Sequence, residues 1–222
     1  MRMYLSSFRL GDAVPELLRL VGEGRRTAVV ANAADVHGDG PREQLILDEF
    51  EMLGGIGLEP EEVDLRRHFG ADDGAVMLAD RLRECALVWV RGGNAFVLRR
   101  AAAASGFDRA LVALLAEDVL VYGGYSAGVC MLSPTLAGIE LCDDPEALPS
   151  GYEGMPRVDA GLGLIPFSVV PHYRTPGHPE TGLMEAVVAH HLDHRLPFVV
   201  LRDGDVIVGD GGSLDVVRGN AR

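Results

Sequence analysis

The sequence predicts an α/β fold, a mostly parallel sheet sandwiched by helices with a short antiparallel extension at the C-terminal end. Three observations predict it. Short apolar, β-branched runs recur along the chain, helix-period segments separate them, and the runs are apolar at consecutive positions. A strand buried between two helical layers has that last property, because both of its faces meet a core.

The elements follow in order. The run Arg2–Phe8 leads into a helical pattern at Val14–Val21, and Thr27–Ala31 leads into Pro41–Leu53. Ala75–Cys85 has helical spacing and precedes the strand Ala86–Val90. Ala95–Ala104 and Arg109–Ala116 are helical, the first opened by Asn94, a good N-cap. The strands Val119–Tyr122 and Ser168–Pro171 come next, then the helix Thr181–His194. Three closing runs, Phe198–Leu201, Val206–Val208 and Leu214–Val217, lie close together with Asp203-Gly204 and Asp210-Gly211-Gly212 between them. Such turns predict the antiparallel extension. No repeat or linker divides the chain, so residues 1–222 read as one domain. At 222 residues and 48% hydrophobic, folding buries roughly 70% of the unfolded chain's surface without covalent staples.

Charge narrows the partners. Twenty Lys and Arg oppose 33 Asp and Glu, a net charge of −13, which opposes phosphate backbones and anionic lipid. No nucleic-acid or membrane partner is expected. No apolar run approaches the ~18 residues of a membrane span, and Met1–Leu10 has no cleavable apolar core. Cys85, Cys130 and Cys142 form an odd, unpatterned set, which suggests reduced thiols and a cytoplasmic location.

In parallel α/β sheets, sites form outside the carboxyl ends of the strands, so a reactive residue should follow a strand directly. Gly124-Tyr125-Ser126-Ala127-Gly128 does, after Val119–Tyr122 and before a helix-compatible stretch. This G-x-S-x-G pattern suits a nucleophile elbow, in which glycines permit a sharp turn that leaves the serine Oγ exposed. Gly92-Gly93-Asn94 follows Ala86–Val90. Its bland reading is a capped helix; its functional reading pairs the Gly93 N–H with that of Ala127 as an oxyanion hole. His172 follows Ser168–Pro171, where a general base for Ser126 can stand. His190, His191 and His194 share the last helix, but the Glu of H-E-x-x-H is absent. They read as a solvated helix end, with no metal expected.

Together these segments resemble the peptidase E family of aspartyl dipeptidases and their cyanophycinase relatives. The resemblance rests on Gly92-Gly93-Asn94, on Tyr125-Ser126-Ala127-Gly128, on Pro171-His172-Tyr173 with Gly177-His178 and Glu180-Thr181, and on Leu201-Arg202-Asp203-Gly204. It implies a fold similar to class I glutamine amidotransferase domains, flavodoxin-like in layering, and a Ser–His–acid triad that needs no cofactor. Ser126 matches the family nucleophile and His172 its base. For the acid, the family usually has Glu where this chain has Asp203; Asp143, some fifteen residues past the nucleophile, is a second candidate. We expect Asp203 to orient the imidazole, and Asn94, Asp143 and Arg174 to meet the substrate, a short peptide with an acidic or small N-terminal residue. An α/β-hydrolase-type esterase with the order Ser126, Asp143, His172 is the nearest rival; a non-catalytic amidotransferase-like binding domain is another. Glutamine amidotransferase chemistry needs a cysteine where Ser126 stands, and Cys130 lies one turn beyond. The sequence leaves self-association into a homo-oligomer open.

Overall fold

A computed structural model describes residues 1–220 of the chain. Its strands are β1 (Arg2–Ser6), β2 (Arg26–Val30), β3 (Glu59–Glu62), β4 (Leu87–Val90), β5 (Val121–Tyr125), β6 (Ser168–Val170), β7 (Phe198–Val200), β8 (Val206–Asp210) and β9 (Ser213–Val217). Seven of them form one sheet in the order β3-β2-β4-β5-β1-β8-β9. The first five of that order run parallel, while β8 pairs antiparallel with β1 and β9 with β8.

The helices are α1 (Val14–Val21), α2 (Asp39–Gly54), α3 (Gly74–Arg83), α4 (Ala95–Ser105), α5 (Phe107–Ala116), α6 (Ala127–Cys130) and α7 (Thr181–Asp193). Alternation along the strands sends side chains into two cores. In β4, Leu87 and Trp89 join Leu17 and Leu20 of α1 and Leu53 of α2; Val88 and Val90 join Leu78 of α3, Phe96 of α4 and Leu111 of α5. All of these except Leu20 are fully buried. Burying each Leu or Val is worth about 1.5–3 kcal/mol, and both faces of the sheet are covered, as the continuous apolar runs require.

Three elements differ from expectation. β3 has the sequence Glu-Pro-Glu-Glu, without an apolar pattern, yet it pairs with β2 from Glu59 to Glu62. It is an edge strand, where charge and proline are tolerated and discourage further pairing. β5 runs on through Gly123 and Gly124 to Tyr125, held by backbone pairing to both β1 and β4. β7 leaves the antiparallel extension to β8 and β9 and instead pairs parallel with β6 in a separate two-stranded sheet. That small sheet brings the chain after β6 beside the chain after β7. Among the described residues no helix is long and apolar enough to cross a membrane, and all three cysteines are free.

Candidate active site

Segments leaving the carboxyl ends of β1, β4, β5, β6 and β7 meet at one end of the molecule. Phe8, Arg9, Arg91, Gly92, Gly93, Ser126, His172, His178 and Glu180 are among the residues lining a cleft there of about 210 Å³.

Ser126 sits between β5 and α6 with φ 52° and ψ −119°, a conformation rare outside glycine and costing about 1–3 kcal/mol. The surroundings enforce it. A Cβ on Gly124 would lie 2.6 Å from the Val90 carbonyl oxygen, and one on Gly128 only 2.3 Å from the same atom. Both glycines are therefore required for close approach to the end of β4, which fixes the two arms of the turn. The helix beyond the turn is a single turn long. It nevertheless leaves the Ala127 N–H at its first position, where no intrahelical acceptor exists. Cys130, at its end, is buried with its thiol directed at the Val169 carbonyl, and burial pushes that thiol far up from its ordinary range.

His172 follows β6 with φ 55° and is almost wholly buried. Its Nδ1 is 2.8 Å from Asp203 Oδ1. With Asp203 ionised, Nδ1 carries the proton and Nε2 carries the free lone pair. Burial by itself would raise the Asp203 carboxyl, but the bonds from His172 and from the Ser7 hydroxyl outweigh it and hold it below the usual carboxylate range.

Ser7 was not anticipated. At the end of β1 its hydroxyl donates to Asp203 Oδ1 at 2.8 Å and accepts the His172 backbone N–H at 2.8 Å. The Asp203 N–H in turn donates to Thr175 Oγ1 at 3.0 Å. Two cations in the cleft were also missed. Arg91 is drawn to Glu49 at 3.3 Å and donates to the Gly92 carbonyl. Glu49 is buried beneath the elbow, where it accepts from Trp89 Nε1 at 3.0 Å and from the Tyr125 hydroxyl. Arg9 is exposed, stands over the Phe8 ring at 5.5 Å and makes no ion pair among the described residues.

The residues expected to meet substrate fare differently. Asn94 caps α4, accepting from the Val97 N–H at 2.9 Å, and its amide donates to the Asp144 carbonyl. Both ends of that side chain are occupied, and it does not line the cleft. Asp143 accepts the Ala95 N–H at 2.7 Å and makes no bond to His172; burial pushes its carboxyl up to about 6, with nearby Glu180 adding to the rise. Arg174 projects outward over Tyr173 and toward Glu185 at 3.3 Å, beside a separate shallow depression. On the last helix, His194 is exposed, but His191 is fully buried and bonds the Val187 carbonyl through Nδ1. Its packing against Phe198 corrects the expectation of a wholly solvated helix end.

The model of Peptidase family S51 matches residues 5–217. Peptidase E of Streptomyces coelicolor is 38% identical over 153 residues, 67% of this chain and 57% of that protein. A Drosophila melanogaster protein assigned as an alpha-aspartyl dipeptidase is 32% identical over 130 residues, 55% of this chain and 49% of its own length. The chain thus spans about half the length of the curated relatives it matches. A solved structure from Listeria monocytogenes EGD-e, assigned to peptidase E, superposes with a TM-score of 0.75 over 99% of this chain and 98% of that one. At 22% identity that likeness shows the fold.

Proposed function

Since the chain belongs to peptidase family S51, we propose that it is a serine peptidase cleaving dipeptides or very short peptides, with preference for an acidic or small N-terminal residue. The observation that carries the reading is the 2.8 Å bond from His172 Nδ1 to Asp203, in the cleft that also holds Ser126 on its strained turn.

The chemistry follows from those positions. His172 Nε2 takes the Ser126 proton as the hydroxyl oxygen attacks the scissile carbonyl carbon. The N–H groups of Gly93 and Ala127 receive the oxyanion. His172 then gives its proton to the leaving amine, and water repeats the cycle on the acyl-enzyme. Asp203 holds the imidazole tautomer and stabilises the imidazolium. The engagement of Asp143 with the Ala95 N–H weighs against the esterase order in which it would be the triad acid. An acidic preference is supported by Arg9, an exposed cation of the cleft without an ion pair among the described residues, rather than by outward-facing Arg174.

A dipeptide panel (Asp-X, Glu-X, Ala-X and X-Asp) tests the reading. Asp-X or Glu-X should be hydrolysed fastest, with activity absent in Ser126→Ala. Faster turnover of simple esters than of every dipeptide would favour the esterase instead.

A further inference from the structure

We propose that His172, His178 and Glu180 form a site for a zinc-type divalent cation, and that its occupation shuts the enzyme off. The three residues offer one ligand atom each, all within 4.8 Å of one another, and all three line the cleft beside Ser126.

The first ligand is already prepared. The Nδ1 of His172 is engaged by Asp203, itself held by Ser7, so Nε2 presents its lone pair. A carboxylate behind the imidazole is the outer-shell arrangement that orients histidines on zinc and raises their basicity. The His178 ring is stacked face to face on that of His172, with centroids 3.8 Å apart and planes within 3°, so it must turn out of the stack before both in-plane lone pairs can meet one ion. The Glu180 carboxylate makes no ion pair among the described residues. Two imidazoles and one carboxylate suit zinc better than magnesium or calcium, which favour all-oxygen sets.

Closing the site requires the loop that carries His178 and Glu180 to rearrange. Zinc bonds of about 2.0–2.2 Å demand ligand atoms nearer to one another than 4.8 Å. His178 and Glu180 both lie on the loop between His172 and α7; His178 must leave its stack on His172 and its edge contact with Phe8, and release the long bond from the Glu180 N–H to its Nδ1 at 3.3 Å. Three protein ligands leave a fourth position, open to water or to the Ser126 hydroxyl. Inhibition rests on the peptidase reading: the lone pair that would receive the Ser126 proton is the one that binds the metal, so the two uses exclude each other.

Calorimetric titration of Ser126→Ala with Zn²⁺ tests the site without relying on turnover, since this variant retains all three ligands. One equivalent should bind, at least about tenfold more weakly after Glu180→Gln or His178→Ala, and unchanged after His190→Ala. Absence of binding, or binding that survives both cleft substitutions or follows His190, overturns the site. In the wild-type protein Zn²⁺ should suppress peptide hydrolysis, and Glu180→Gln should hydrolyse with at least about tenfold lower zinc sensitivity. An active wild type that binds zinc yet stays uninhibited overturns the shut-off. A protein inactive on every peptide with zinc binding intact counts against the peptidase reading and in favour of the site.

Discussion

Two aspartates near one histidine have opposite electrostatic fates. Asp203 accepts bonds from His172 and Ser7 and is held low. Asp143 accepts a single backbone N–H, and burial drives it up to about 6. An acid whose folded pKa lies above its unfolded value, about 3.9, binds its proton more tightly when folded. Its contribution to stability is therefore present below pH 4 and is lost as pH rises toward 6. Asn at position 143 keeps the acceptor for the Ala95 N–H and removes the charge. Asp143→Asn should therefore be more stable than wild type at pH 7.5, by about 2–3 kcal/mol, with the gap closing by pH 4. Urea unfolding at the two pH values measures this, and equal stability at pH 7.5 would contradict it. Residue type alone could not separate these roles. Asn94 and Arg174 have the right chemistry for binding, but the sequence does not reveal that one is spent as a helix cap and the other points outward.

The decisive element is the turn between β5 and α6. Its serine was legible because a glycine pattern followed an apolar run, but the reason for the glycines was only half legible. They are needed for contact with Val90 at the end of β4, a neighbour in the sheet that is distant in sequence. Gly128→Ala would place a methyl group 2.3 Å from the Val90 carbonyl oxygen, and backbone cannot yield as a flexible side chain would. We expect a loss of about 1–3 kcal/mol, read as a lower urea midpoint, together with a disproportionate loss of turnover as Ser126 is displaced. Unchanged stability and rate would show that the turn tolerates what the packing forbids. Strand β3 marks the opposite limit, since its residues carry no apolar period and only pairing with β2 makes it a strand.

At the scale of the whole molecule, the parallel sheet and its two cores were readable because buried strands must be apolar on both faces. The pairing of β6 with β7 was not, because register between short runs is a tertiary matter. Yet that pairing carries the chains holding His172 and Asp203 to one place, while β1 delivers Ser7 between them. Ser7 itself escaped notice because the first apolar run was read through to Phe8, which hid a polar residue at a strand's end. Ser126, His172 and Asp203, from three separate segments, are proposed to act as one unit. The most direct test is fluorophosphonate labelling, with the adduct located by mass spectrometry in the folded wild type and in the His172→Ala, Asp203→Ala and Asp143→Ala variants. A single adduct on Ser126 is expected, formed at least about a hundredfold more slowly without His172, much more slowly without Asp203, and at nearly the same rate without Asp143. An unlabelled Ser126, or a rate that depends on Asp143 and ignores Asp203, would contradict it.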